Sequence, residues 1–250
     1  DMADDSTGLL TRRRAIAGIG GVLGLGAAGL YLTADTAADV ENYAADFTDQ
    51  SGASDGLGID YADRPVLGST DADLRLFAWS DYQCPYCKRF DEQTLPDLAA
   101  SEVADGTVAV VFLELPLLGE RSLTAGVVSK AVWRAVRDDD PNAWGRFHRF
   151  VFSKQGPENG EWATESNLLS YAGAVDGVPG DEVERLVAND RAALEASVQA
   201  DASVAFDDLE LERAAPLFAL SNPNTGDWRE IRGAQPVDTF RDAMTALREN

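Results

Sequence analysis

Apolar positions change period several times along this chain, and each change marks an element. Leu74–Trp79 is a short β-like run that leads through Asp81-Tyr82-Gln83 into Cys84-Pro85-Tyr86-Cys87. From Lys88 to Val103 the apolar residues Phe90, Leu95, Leu98, Ala99 and Val103 recur at helical spacing, and Pro96 should kink that helix. Thr107–Leu115 is almost uniformly apolar and β-branched, the pattern of a central strand covered on both faces. Residues 121–200 then read as helices. The first spans about Ser122–Arg137, with Leu123, Val127, Val128, Ala131 and Ala135 on one stripe. A second starts with Asp140 as N-cap and Pro141 as first residue, and carries Trp144, Phe147 and Val151. A third lies near Glu165–Ala174, and a fourth opens with a capping box, Asp181 and Glu184. Strands return at Leu217–Leu220 and Trp228–Arg232, on either side of the turn signal Asn222-Pro223-Asn224-Thr225-Gly226. Pro236 can start a last helix, with Phe240, Met244 and Leu247 on one face.

The order β, α, β, helical block, β-hairpin, α predicts an α/β domain. Its first strand pair should be parallel and joined by a crossover, with the helical block about 121–200 as an insertion. The folded part should run from residue 64 to 250. Ahead of it, residues 35–63 hold eight acids and no base, and read as an acidic flexible linker. Residues 1–34 read as an address. Thr11-Arg12-Arg13-Arg14 precedes 15–32, a stretch with no charge and six glycines, which resembles a twin-arginine export signal. The alternative is a membrane anchor, because 18 residues sit at the lower limit for a span. Thr36-Ala37-Ala38 is the best cleavage site. Both alternatives place the domain outside the cytoplasm, secreted or tethered through 15–32.

Charge adds a second constraint. The chain of 250 residues has 43 Asp plus Glu, 21 Lys plus Arg and a net charge of −22, with only three lysines, Lys88, Lys130 and Lys154. Such an excess excludes a nucleic-acid partner, which needs clustered cations. It implies adaptation to high salt, where a Debye length of about 3 Å at molar ionic strength screens the repulsion between carboxylates. An extreme halophile is the expected source.

Two cysteines and one histidine leave few candidates for chemistry. A zinc site built of cysteines is nearly excluded, and no metal is expected. The two cysteines sit three apart, after a strand and at the opening of a helix. Free N–H groups and the positive end of the helix dipole stabilise a thiolate there. Cys84 should therefore be an exposed nucleophile and Cys87, one turn in, a buried resolving thiol. Pro85 stiffens the turn and Tyr86 tunes the thiolate. Glu114, interrupting an apolar strand, and Asp81, three residues before Cys84, are candidates for a proton relay. The alternative is that each acid sits at a solvated strand end. His148 reads as an edge-of-core residue. Trp79, before the active-site loop, is a candidate for a peptide-binding surface.

The stretch FAWSDYQCPYCKRF resembles the active site of DsbA-like thiol–disulfide oxidoreductases of the thioredoxin superfamily. The similarity continues in LELPLLGERSLTA and in RAAPLFAL followed by GAQPVDTF, and spans about Pro65 to Leu247. It implies a thioredoxin-like fold with an inserted helical domain and a redox-active Cys84–Cys87 disulfide as the only cofactor. It also implies a proline, usually cis, facing the pair. The matching position is Pro216, with Ala215 offering its backbone to an extended substrate. The flanking residues depart from the family, where threonine or valine commonly precedes the proline and threonine often follows; here they are Ala215 and Leu217. The resemblance implies exchange with cysteines of exported proteins, most readily as an oxidase recharged by a membrane redox partner. A reductase or isomerase of the same fold, or a non-catalytic binding module, is the alternative.

Overall fold

The computed structural model describes residue 37 and residues 40–50, 57–69 and 71–249. The arginine-rich stretch and 15–32 lie outside these residues. Among the described residues no helix is long and apolar enough to cross a membrane.

Among the described residues, six strands form one sheet in the order β1-β2-β4-β3-β5-β6. They are β1 (Phe47–Thr48), β2 (Val66–Leu67), β3 (Leu74–Ser80), β4 (Val108–Glu114), β5 (Leu217–Ser221) and β6 (Trp228–Arg232). Only β3 and β4 run parallel, in a register from Leu74 opposite Val108 to Ser80 opposite Glu114. Every residue of β4 and β5 is buried, and all of β3 but Ser80. Alternation sorts these side chains onto two faces. Leu76, Ala78, Val110, Phe112 and Phe218 join the larger core, which also holds Cys87, Phe147 and Phe240. Phe77, Trp79, Val111 and Leu217 join a smaller core with Ile59, Tyr61 and Leu211.

Helix α1 (Pro85–Arg89) leaves the loop after β3 and runs through a π-type turn, Phe90–Thr94, into α2 (Leu95–Leu98) and a second π-type turn, Ala99–Val103. Pro96 therefore sits in a short α segment between two widened turns, which accommodate its missing N–H. Between β4 and β5 lie α3 (Glu120–Val136), α4 (Asn142–Ser153), α5 (Glu165–Ala174) and α6 (Gly180–Ser203). Helix α7 (Val237–Arg248) packs Phe240, Met244 and Leu247 into the larger core.

Three expectations fail locally. Asp140 does not cap α4: its carboxylate is drawn to Arg146, 2.6 Å away, and the helix begins at Asn142. The capping box is absent, because α6 starts at Gly180 and puts Asp181 inside its first turn. Nor is the described part of residues 35–63 a solvated linker. It supplies β1 and buries Tyr43, Phe47, Ile59 and Tyr61. Phe47 packs its ring 5.5 Å from Phe112 and 5.2 Å from Trp144. Sparse apolar side chains anchor this acidic stretch, and each is large enough to offset the ordering of its neighbours.

Candidate active site

Cys84 is the N-cap of α1, with extended backbone (φ −80°, ψ 119°), and Pro85 is the first helical residue. The turn is closed by Cys84 N–H to the Asp81 carbonyl (2.9 Å) and Lys88 N–H to the Cys84 carbonyl (3.2 Å). Loops around it fix its position. Gln155 Nε2 donates to the Tyr82 carbonyl at 2.6 Å and the Cys84 carbonyl at 3.1 Å. Gln83 Nε2 donates to Ser122 Oγ at 2.9 Å. The Asp81 carboxylate accepts from Gln83 N–H on one oxygen (2.8 Å) and from Leu117 and Leu118 N–H on the other (3.0 and 2.9 Å). It thereby ties the CxxC loop to the loop after β4.

The two thiols are unbridged and differ in character. Cys87 is fully buried, and burial pushes its thiol well up. Asp81 N–H donates to Cys87 Sγ at 3.3 Å. Cys84 is held down at about 7, chiefly by a hydrogen bond from the Cys87 thiol and further by the N–H groups of Cys87 and Tyr86. Cys84 is not exposed: only 4% of its surface is accessible. The Ala215–Pro216 segment lies over it, with the Ala215 carbonyl oxygen 3.4 Å from Cys84 Sγ. The Ala215–Pro216 peptide is cis. Beside it opens a groove of about 680 Å³, lined by Tyr86, Arg89, Gln93, Ala215, Gly233 and Gln235 among others. Tyr86 is 54% exposed and carries the Arg89 guanidinium 5.1 Å from its ring centroid.

Of the two candidate relay acids, both are buried. Asp81 is raised by burial, against its backbone and Ser122 hydrogen bonds, but both its oxygens serve as loop ties. Glu114 stands at the end of β4 opposite Ser80, on the face that carries Cys87. Burial pushes it up to about 8, against the pull of the Lys130 ammonium. The stability it contributes is therefore complete below the ordinary glutamate range and is lost as pH rises toward about 8.

Trp79 lies on the opposite face of the sheet and is fully buried, with its indole N–H donating to the Asp201 carbonyl at 2.8 Å. It lines no peptide surface. The strand alternation that puts Ala78 into the larger core puts Trp79 into the smaller one, against the C-terminal end of α6. Sequence reasoning passed over Asp201, Tyr82 and Ser129. Asp201 is buried between Arg64 Nε (2.8 Å) and Lys130 Nζ (2.7 Å), and accepts Glu114 N–H at 2.9 Å. The available signal was Lys130, a charge on the apolar stripe of α3 in a chain with three lysines. His148 is more than an edge residue: it is buried, and Nδ1 lies 2.7 Å from the Tyr82 hydroxyl. Among the described residues no cluster of three or more His, Cys, Asp or Glu side chains is placed to hold a metal ion.

A mixed sheet with a CxxC pair at the mouth of α1, a proline segment over it and a helical block between β4 and β5 defines the thioredoxin-like class with an inserted helical domain. The family described as "Thioredoxin" matches residues 61–218, more than half of the chain. The chain belongs to that thioredoxin family. Disulfide bond formation protein D of Bacillus subtilis is 32% identical over 109 residues, which are 44% of this chain and 47% of that protein. A probable disulfide bond formation protein D of Bacillus cereus is 27% identical over 110 residues, 44% of this chain and 49% of that one. The alignment thus spans about half the length of these curated relatives. Among solved structures, oxidised BdbD from Bacillus subtilis superposes with a TM-score of 0.62 at 24% identity, over 75% of this chain and 94% of that one. A double variant of alpha-DsbA1 from Wolbachia pipientis gives 0.63 at 17%, over 78% and 94%.

Proposed function

We propose that this chain is an exported thiol–disulfide oxidoreductase that exchanges its Cys84–Cys87 disulfide with cysteines of extracytoplasmic proteins, acting as an oxidase. The observation that carries the reading is the split between the thiols: Cys84 at about 7 beside an open groove, Cys87 raised and fully buried. The thiol with the lower pKa is both the more ionised nucleophile and the better leaving group. The names of the Bacillus relatives, disulfide bond formation proteins, support the same chemistry.

In the oxidising direction a substrate thiolate attacks Cys84 Sγ, and the Cys84–Cys87 bond breaks. Cys87 leaves as a thiolate and takes a proton from Glu114, the raised acid on its face of the sheet. A second substrate thiolate then attacks the substrate sulfur of the mixed disulfide and releases Cys84. The substrate gains a disulfide, and the enzyme is left with two thiols. Ala215 lines the groove and would pair with the extended substrate backbone; Tyr86 and Arg89 would flank it. No further cofactor is required, and a membrane redox partner would restore the disulfide. The arginine-rich segment and 15–32 supply the twin-arginine-type export signal or tether.

One observation favours the reverse direction. A first cysteine near 7 matches thioredoxin, at about 7, rather than DsbA, at about 3.5. The reduction potential of the Cys84–Cys87 couple, measured against glutathione, separates the two. We expect a value well above thioredoxin's, about −270 mV, toward DsbA's, about −120 mV. A value below about −250 mV would make this protein a reductase.

Salt adaptation is a second part of the proposal, supported by the net charge of −22. The thermal midpoint of the whole protein should climb steadily as NaCl is raised toward molar concentration. A midpoint that stays flat or falls would reject it.

A further inference from the structure

The groove beside Cys84 has two walls, and hydrogen bonds tie them together. One wall is α1 and the turn after it, with Tyr86, Arg89, Gln93 and Thr94; the other is Ala215 and the loop 233–237. Arg89 Nη2 donates to the Ala234 carbonyl at 3.0 Å, and Thr94 Oγ1 donates to the next carbonyl, that of Gln235, at 3.0 Å. Gly233 N–H donates to the Pro216 carbonyl at 2.9 Å, so the far wall is also fastened to the segment over Cys84. These bonds preset the groove before a substrate enters it.

Its charge is one-sided. In a chain with 43 Asp plus Glu, the described lining holds no carboxylate, and Arg89 is its single charged side chain. Acids close to the lining in sequence are engaged elsewhere. Asp91 is buried and accepts from Tyr43, Glu92 faces Lys88, Glu230 faces Arg232 and Asp238 faces Arg241. Arg89 is exposed. Among the described residues its guanidinium meets the Ala234 carbonyl and the Tyr86 ring, neither of them charged, and no carboxylate. The ring and the carbonyl hold the guanidinium in place, so a ligand need not order it. One N–H is used on Ala234, and the remaining donors form a planar fork that matches a carboxylate.

Arg89 lies five residues after Cys84, which is about 7–8 Å along a helix. An extended substrate covers that distance in about two residues, at about 3.3 Å each. We propose that Arg89 is a specificity-determining residue, selecting substrate segments that carry Asp or Glu about two residues from the reacting cysteine. The inference rests on the oxidoreductase reading and names its substrate class. The exchange itself is unchanged. A substrate thiolate forms a bond to Cys84 Sγ, the Cys84–Cys87 bond breaks, and Cys87 leaves with the electron pair. The carboxylate of the same segment meets Arg89 and takes no part in the transfer. At contact, about 3 Å, the pair is no longer than the screening length at molar salt, so salt weakens the preference without abolishing it.

The test uses the oxidised full chain and peptides with one cysteine and Asp, Asn or Lys two residues before or after it. Each exchange rate is divided by the rate of the same peptide with oxidised glutathione, which removes the neighbour's effect on the peptide thiol itself. The wild type should favour Asp over Asn by about fivefold at one of the two positions, the scale of a solvent-facing ion pair, with Lys slowest. Arg89→Gln should bring Asp and Asn to equal rates, and Arg89→Glu should put Lys ahead of Asp. Losing only the brace on Ala234 would slow all peptides alike and leave their ratio unchanged. A ratio that survives Arg89→Gln, or a wild type without preference at either position, therefore overturns the inference while exchange stands. A wild type that exchanges with none of the peptides overturns the oxidoreductase reading, and the inference falls with it.

Discussion

Replacing Cys87 with alanine is expected to leave the protein covalently joined to its substrate through Cys84. Reduced Cys84 attacks a substrate disulfide, one substrate sulfur leaves as a thiolate, and a mixed disulfide remains. In the native protein Cys87 displaces that substrate; in the variant nothing within the chain can, because there is no third cysteine. The adduct should appear as a reducible band on a non-reducing gel and be mapped to Cys84 by mass spectrometry. Cys84→Ser should abolish both the adduct and all measurable exchange. The pH dependence has a definite sign. The hydrogen bond from the Cys87 thiol is the largest influence holding Cys84 at about 7. Its loss raises Cys84 toward the ordinary thiol range, so the variant should trap more slowly than native Cys84 reacts at neutral pH and should accelerate as pH rises past 8. Absence of any adduct across that range would leave this fold as a binding module.

The second large effect is on stability. Asp201→Ala should destabilise the protein by about 3–5 kcal/mol, because it strands two cations inside the fold. Arg64 and Lys130 both point their charge at Asp201, and the side chains of Lys130 and Asp201 are nearly inaccessible. Glu114 N–H also loses its acceptor. Against a typical total of about 5–15 kcal/mol, that loss is large. Urea denaturation of native and variant protein at one fixed salt concentration measures it. Removing all three charges together, as Arg64→Met, Lys130→Met and Asp201→Leu, should recover much of the loss, since a buried network is weak evidence of net stabilisation. A single variant as stable as the native protein would show that water reaches the cluster.

How far these sites were legible depends on whether their cause was local. The Cys84–Cys87 spacing, the strand before it and Pro85 are neighbours in sequence, and the helix-terminus argument needs nothing more. Pro216 was reached by resemblance, and the meeting of its neighbour Ala215 with Cys84 joins residues 131 positions apart. That meeting is also why Cys84 is covered. Asp201 gives no local sign, since its partners come from three other segments. Glu114 could be read as an oddity in an apolar strand, but its neighbours could not. The strand β1 was hidden by composition: an acidic stretch with a few aromatic residues looks solvated until Phe47 finds Phe112 and Trp144. The failed helix caps have the same origin. Asp140 satisfies the rule for an N-cap, yet Arg146 offers its carboxylate a charged partner.

Tyr43 and Phe47 bear on where this protein can be cut. A truncation at Arg64, the edge suggested by charge alone, would delete β1 and leave β2 as an unguarded sheet margin open to pairing with another molecule. It would also take away the hydroxyl that donates to Asp91, four residues past Cys87. The smallest autonomous unit therefore starts ahead of Tyr43, because proteolytic trimming between there and Arg64 would strip a hydrogen-bond partner from the segment just past the cysteine pair.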